Sequence, residues 1–197
     1  MENGISKPLA SVVTDSAVSQ GLRAAGVVFA GSALVAVASH LSLPLGFTPV
    51  PLTLQPFAVL LIGLVLSPQL AAATLATYLL EGAAGLPVFA PGLAFGAGLA
   101  HLLGPTGGYL LSYPAAAALV AWMWRRTARG FSAALASATL GNAIILLCGF
   151  AWLATSTHSS PRTAFALAVL PFLPGDALKV AAAAAIARGL ERVRRRQ

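Results

Sequence analysis

The chain has 197 residues, of which 58% are hydrophobic and only 9% are charged. In soluble globular domains roughly a quarter of all residues are charged, so this composition excludes that class and predicts a protein embedded in membrane lipid. The length suits roughly six spans of about 20 residues each and leaves no room for a second domain. A net charge of +7 does not indicate nucleic acid, because the basic residues lie at the ends of apolar segments.

Six apolar runs, bounded by glycine, proline or charged residues, predict an all-α integral membrane protein with six transmembrane helices in one bundle. The runs cover residues 22–40, 51–66, 69–85, 105–124, 132–155 and 164–187. We therefore expect a membrane domain over residues 22–188, a tail over residues 1–21 and a basic tail over residues 189–197. The first 20 residues lack the basic start and apolar core of a cleavable signal peptide.

The distribution of lysine and arginine predicts the orientation in the membrane. An even number of spans places both termini on one side, and ten of the twelve basic residues then share that side, which the positive-inside rule assigns to the cytoplasm. Arg162 falls outside, and Lys179 falls within the membrane. The ten residues are Lys7, Arg23, Arg125, Arg126, Arg129, Arg188, Arg192, Arg194, Arg195 and Arg196. We expect both termini on the cytoplasmic side of a bacterial cytoplasmic membrane.

Two connections are longer than simple turns and lie outside in this topology. One runs over residues 43–55 and is rich in proline, and the other runs over residues 81–105 and is rich in glycine and proline. Non-helical backbone at membrane depth survives only where protein covers it or where it lines a polar cavity. The two loops are therefore predicted to roof a binding site, and mobile surface connections are the alternative.

Asp176 and Lys179 are charged residues inside the last predicted span. A spacing of three residues places both side chains on one face of a helix. Charged residues at this depth usually face the interior of the bundle and mark a substrate or ion path. The carboxylate can accept N–H donors and the ammonium can donate to a carbonyl or carboxylate, as a ureido ligand requires. A structural ion pair that binds nothing is the alternative.

The segment Gly104–Tyr109 opens the fourth span with a glycine-rich turn in which Thr106 is placed to cap the helix. Thr106, Gly107 and the free N–H groups there would suit the carboxylate of an organic acid. Helix capping alone is an equal alternative on the sequence.

Further polar and aromatic residues carry the same ambiguity between packing and ligand binding. Asn142 in the fifth span either bridges helices or binds ligand. Thr53 and Gln55 end the first external loop. The phenylalanines of the two loops are candidates for the walls of a ring pocket, although phenylalanine is ordinarily a packing residue; they are Phe47, Phe89 and Phe95.

Several kinds of chemistry have no support in the sequence. Cys148 is the only cysteine, which excludes an internal disulfide, and the three histidines lack the spacing of a zinc site. No motif of a hydrolase is present, so we predict neither an enzyme nor a bound cofactor. A P-loop is also absent, so any energy from ATP must come from partner subunits.

Four ordered blocks of this sequence closely resemble the BioY family, the biotin-specific substrate-binding (S) components of energy-coupling-factor (ECF) transporters. The blocks are Phe47–Gln55, Gly85–Phe89, Gly104–Tyr109 and Leu173–Lys179. The resemblance implies a six-helix fold that holds biotin near the external side. It also implies assembly with a transmembrane coupling subunit and two cytosolic ATPase subunits.

By this resemblance Asp176 and Lys179 match polar contacts to the ligand, and Tyr109 belongs to a block that supplies the cavity wall. The chain departs from the family pattern at 90–95, which carries no cation for the tail of biotin, and at Glu81, where an uncharged residue is expected. Two alternatives to biotin capture stay open. One is an S component or stand-alone facilitator for another vitamin, and the other is an intramembrane enzyme.

Overall fold

The computed structural model describes residues 9–91 and 97–196, with side chains from residue 18 onward. The helical architecture predicted from composition is confirmed, and a two-stranded hairpin is the addition. In chain order the elements are α1 (Leu9–His40), β1 (Ser42–Leu43), β2 (Leu52–Thr53), α2 (Gln55–Val65), α3 (Pro68–Ala83), α4 (Leu99–Leu102), α5 (Gly107–Arg125), α6 (Phe131–Ser156), α7 (Pro161–Ala168) and α8 (Leu173–Arg194).

The helix bounds differ from the predicted spans at both ends of the chain. Residues 9–21 and 189–194, which we expected in the tails, belong to α1 and α8. The prediction of one helix over residues 164–187 is wrong, because α7 and α8 meet at an angle of 50°. Pro171 lies in this break and Pro174 in the first turn of α8, and a proline has no N–H to continue a helical hydrogen-bond ladder.

Two helices in the described ranges are long and apolar enough to cross a membrane by themselves: residues 18–40 of α1, and α6. The bent pair of α7 and α8 makes a third if it counts as one span. The apolar helix α2 has only 11 residues. The count of six spans therefore stays a prediction.

Large apolar side chains cover the outside of the bundle. Phe29 on α1, Leu80 on α3, Leu147 on α6 and Leu178 on α8 are all more than half exposed. Only 17% of the apolar window in α1 is buried inside the protein. A soluble protein would not expose so much apolar surface, whereas hydrocarbon chains solvate it without cost.

Helix α5 lies at the centre of the bundle and packs against α2, α3 and α6. Val120 on α5 is fully buried, and two glycines on neighbouring helices make room for it. A Cβ on Gly63 would lie 2.8 Å from both the Ala117 carbonyl oxygen and Val120, and a Cβ on Gly141 would also meet Val120. The small residues thus allow the close helix approach on which packing in lipid depends.

The β1–β2 hairpin covers one end of this bundle. Its strands pair antiparallel, with Ser42 opposite Thr53 and Leu43 opposite Leu52. The Thr48 hydroxyl at its turn donates a hydrogen bond of 2.9 Å to the Leu167 carbonyl oxygen on α7. The hairpin is therefore tied to α7, and Val50 in the connection between its two strands is buried.

Candidate functional site

A cavity of about 40 Å³ lies under the hairpin, where the N-terminal ends of α2, α5 and α8 meet. Its lining residues are Val50, Pro51, Thr53, Gln55, Pro56, Ala90, His101, Thr106, Tyr109, Leu110, Tyr113, Ile145, Leu146, Phe172, Asp176 and Lys179. A mostly apolar and aromatic wall with a few polar groups is typical of a small-molecule site. The volume admits roughly three water molecules, so the cavity must widen to admit a larger ligand.

Asp176, Lys179 and Asn142 form a buried polar cluster, of which Asp176 and Lys179 line this cavity and Asn142 does not. Lys179 Nζ lies 2.9 Å from Asp176 Oδ1, and Asn142 Nδ2 donates to Asp176 Oδ2 over 3.1 Å. All three side chains are buried: Asp176 is 3% exposed, Asn142 7% and Lys179 8%. The spacing of Asp176 and Lys179 thus brings them together as predicted, and α6 supplies the third member.

The cluster retains hydrogen-bonding capacity that the protein itself does not use. Asn142 Oδ1 is buried and has no hydrogen-bond partner in the described residues. Lys179 has three N–H donors and bonds only to Asp176 there. Leaving a buried polar atom unpaired costs free energy. A ligand that forms hydrogen bonds with these groups would remove that cost, and the removal would favour binding.

A second polar network surrounds Gln55 at the start of α2. Its Nε2 donates to the Tyr78 hydroxyl over 2.5 Å, and that hydroxyl donates to the Val88 carbonyl oxygen over 3.0 Å. Its Oε1 accepts hydrogen bonds from Thr53 and Tyr113 at 3.3 and 3.5 Å. Gln55 and Thr53 therefore border the cavity with polar groups that are already paired, and they hold the hairpin against α3 and α5.

Tyr109 presents its ring to the cavity while its hydroxyl is engaged elsewhere. The hydroxyl donates to the Ala168 carbonyl oxygen over 2.6 Å, at the break between α7 and α8. Its ring meets Phe172 edge to face with centroids 6.3 Å apart. Tyr109 thus forms a wall and also holds the bent helix pair in place.

Thr106 precedes α5 but does not cap it, contrary to our prediction. Its backbone is helical (φ −88°, ψ −5°) rather than extended, and its side chain makes no capping hydrogen bond. Its hydroxyl is buried without a partner in the described residues and borders the cavity. Gly107 does not border the cavity; a Cβ there would collide with the Leu102 carbonyl oxygen, so glycine permits the tight turn.

The phenylalanines contribute less to the cavity than predicted. Phe89 does not border it but packs behind it, stacked on His101 at 4.9 Å and edge to face with Tyr78 at 5.5 Å. Phe47 is mostly exposed. Phe95 lies outside the described residues.

Glu81, which the sequence left unexplained, lies in the interface between α1 and α3. It accepts a hydrogen bond from the fully buried Ser32 hydroxyl of α1. Glu81 is not part of the cavity lining. No group of three or more His, Cys, Asp or Glu residues suited to a metal occurs in the parts of the chain that the structure describes.

Comparison with known proteins identifies the family to which this chain belongs. The chain matches the BioY family over residues 10–196, which is almost its whole length. The chain belongs to the BioY family. The resemblance inferred from four short blocks of sequence is thereby confirmed.

Relatives in the BioY family come from archaea and bacteria. The chain is 42% identical over 159 residues to the probable biotin transporter BioY of Pyrococcus horikoshii, covering 81% of this chain and 90% of the relative. It is 38% identical over 162 residues to the biotin transporter BioY of Thermotoga maritima, covering 82% and 92%. These shares show that the likeness extends over nearly the whole of each protein.

A solved structure has the same fold. It is the crystal structure of the S-component for biotin from an ECF-type ABC transporter, with a TM-score of 0.80 and 25% sequence identity. The likeness covers 88% of this chain and 93% of that one. The predicted S-component-like fold of this BioY protein is confirmed.

Several cavity residues of this BioY protein were missed by sequence reasoning. Tyr113 follows the predicted residues Thr106 and Tyr109 at helical spacing on α5, and Ile145 follows Asn142, which does not itself line the cavity, on α6. Extending each suspected residue by three or four positions along its helix would have found Tyr113 and Ile145. His101 gave no such signal, because α4 is a single turn within a loop.

Proposed function

We propose that this protein captures biotin and takes it up across the cytoplasmic membrane as the substrate-binding subunit of an ECF-type ABC transporter. The observation that carries the proposal is the buried cluster of Asp176, Lys179 and Asn142, of which Asp176 and Lys179 line the cavity. Family membership and the named functions of the relatives support it. Binding without chemical conversion is the proposed activity.

The cluster suits the ureido ring of biotin. A ureido group has two N–H donors and one carbonyl acceptor. Asp176 and the unpaired Asn142 Oδ1 supply acceptors, and the Lys179 ammonium supplies a donor. Hydrogen bonds to a charged partner in a dry site contribute about 1.5 to 3 kcal/mol each. The ureido ring is therefore the part of biotin that we expect to determine the specificity of binding.

The valerate tail would lie along the apolar wall toward the start of α5. Tyr109, Leu110 and Phe172 supply apolar surface there. The unpaired hydroxyl of Thr106 supplies one donor for the tail carboxylate, beside the positive end of the α5 dipole. Segment 90–95 has no cation for this role, so we propose that Thr106 and the start of α5 replace it.

Entry of biotin requires the site to open, because the cavity of about 40 Å³ is too small for a bicyclic ligand with a tail. Val50, Pro51 and Thr53 of the hairpin line the cavity. We propose that the hairpin and the cavity side chains move apart on entry and close again over the vitamin.

Transport would depend on partners that supply energy. The sequence has no P-loop, so we propose assembly with a transmembrane coupling subunit and two cytosolic ATPase subunits. The basic ends of α5 and α8 support a cytoplasmic location for both termini by the positive-inside rule.

Calorimetric titration of the purified protein in detergent with biotin tests the proposal, with thiamine and riboflavin as competing vitamins. We expect saturable binding of biotin alone. Asp176→Asn should weaken that binding at least 30-fold, or about 2 kcal/mol. Glu81→Gln is the matched control, since it also turns a membrane carboxylate into an amide but lies outside the cavity. Binding of another vitamin, or no loss in Asp176→Asn, would contradict the proposal.

A further inference from the structure

A second cleft of about 300 Å³ lies at the opposite end of the three helices that form the vitamin cavity. It is bordered by the C-terminal ends of α2, α5 and α8 rather than by their starts. At 1.5 Å per residue, the 15 residues from Tyr109 to Trp124 on α5 separate the two by about 22 Å. The cleft therefore lies near the membrane surface on the predicted cytoplasmic side.

Three arginines border this cleft, and only one of them is paired. Arg129 lies 3.3 Å from Glu191, which also pairs with Arg195 at 3.0 Å. Arg125 and Arg194 have no hydrogen bond or ion pair among the residues that the structure describes. Since Glu191 already bonds two guanidinium groups, the cleft has an excess of positive charge.

The remaining walls combine one polar donor with apolar surface. Trp124 is only 3% exposed, and its indole N–H, which is not among the fully buried polar atoms, makes no hydrogen bond within residues 18–91 and 97–196. Val65, Leu190 and Val193 are exposed at the mouth and continue into the outer, lipid-facing surface of the bundle. The cleft thus offers hydrogen-bond donors for an anion at its inner end and an apolar surface that leads out of it.

We propose that this cleft binds one anionic phospholipid, with the phosphate between Arg125 and Arg194 and an acyl chain along Val65, Leu190 and Val193. Guanidinium groups bind phosphate oxygens through paired hydrogen bonds. Basic pockets between membrane helices on the cytoplasmic side suit acidic headgroups. Arginine at a helix C-terminus also compensates the helix dipole, but that role requires neither an unpaired indole donor nor an apolar exit.

Native mass spectrometry and thermal unfolding of the full chain in detergent test the site, with phosphatidylglycerol and phosphatidylcholine as probes. The wild-type protein should retain phosphatidylglycerol and unfold at a higher temperature with it, and it should respond little to phosphatidylcholine. The double variant Arg125→Gln/Arg194→Gln should bind phosphatidylglycerol at least tenfold more weakly, or about 1.4 kcal/mol.

The matched control is the double variant Arg126→Gln/Arg162→Gln, which removes the same charge away from the cleft. Arg126 lies over the Trp122 ring at 5.2 Å, and Arg162 is exposed at the start of α7. Its lipid binding should stay within twofold of wild type. Equal loss in both double variants would overturn the proposal, because only the overall charge would then matter.

Two further outcomes would assign the cleft to another occupant. If glycerol 3-phosphate stabilises the protein to the same degree as phosphatidylglycerol, the cleft is a site for a soluble anion and the apolar path has no role. Normal lipid binding by the cleft double variant, together with loss of a co-expressed coupling subunit, would show a protein docking surface. Either result would contradict a lipid site.

Discussion

Asn142 on α6 and Asp176 on α8 are joined by a hydrogen bond of 3.1 Å from the amide Nδ2 to the carboxylate Oδ2. The bond leaves Asn142 Oδ1 buried and unpaired at the same place. The amide therefore positions the carboxylate, and its unpaired oxygen is the acceptor that we propose for a ligand donor.

Asn142→Ala should weaken biotin binding about tenfold, since it removes one ligand acceptor and one donor to Asp176. Titration calorimetry measures the change. Ser137→Ala on the same helix is the control, because the Ser137 hydroxyl bonds only to the Ala133 carbonyl oxygen of its own helix. Equal effects of both changes would show that Asn142 is structural.

Lys179→Met should abolish measurable biotin binding and lower the unfolding temperature, because it leaves the Asp176 carboxylate buried with a single amide donor. Removing one partner of a buried pair costs about 3 to 5 kcal/mol. The double variant Asp176→Asn/Lys179→Met removes both charges and should unfold at a higher temperature than Lys179→Met. A double variant less stable than the single one would refute the coupling.

Tyr109→Phe keeps the ring in the cavity wall and deletes the hydroxyl that bonds to the Ala168 carbonyl oxygen at 2.6 Å. Leaving that buried acceptor unpaired should cost about 1 to 3 kcal/mol of stability, with a small effect on biotin affinity. Tyr113→Phe is the comparison, since its hydroxyl has only a long bond of 3.5 Å. If thermal unfolding shows the larger loss for Tyr113→Phe, the helix break does not depend on Tyr109.

Gly63→Ala should destabilise the bundle, because the added Cβ would lie 2.8 Å from the Ala117 carbonyl oxygen and from Val120 on α5. The backbone of α2 or α5 would have to shift, and overpacking of this kind costs about 1 to 3 kcal/mol. Gly26→Ala on α1 has open space around it and should be neutral or slightly stabilising. Thermal unfolding of both variants in detergent checks the contrast.

The sequence predicted one half of the polar cluster and missed how the other half is arranged. Asp176 and Lys179 are three residues apart on one helix, so their contact follows from local geometry alone. Asn142 lies 34 residues away on α6, and only the packing of α6 against α8 decides which residue its amide meets. The sequence therefore left bridging and ligand binding as equal alternatives for Asn142.

Local chain geometry also explains which loop predictions were wrong. The glycines at the start of α5 let the chain turn so tightly that Thr106 adopts a helical backbone, so the hydroxyl faces the cavity instead of capping the helix. Phe89 lies two residues after Pro87 in a loop, where no periodicity indicates the direction of its side chain. Its ring fits against Gly82 and His101 behind the cavity, which only the assembled structure shows.

By itself, the sequence determined that this chain belongs in lipid and that it is a BioY family member. It also predicted the positions of most of the helices. Apolar content and short ordered motifs are local properties, so they can be recognised without the tertiary structure. The tertiary structure decided the bend between α7 and α8, the partners of Asn142, Glu81 and Gln55, and the two clefts at opposite ends of α2, α5 and α8. Those features depend on contacts between residues far apart in the chain, and such contacts form only when the helices pack together.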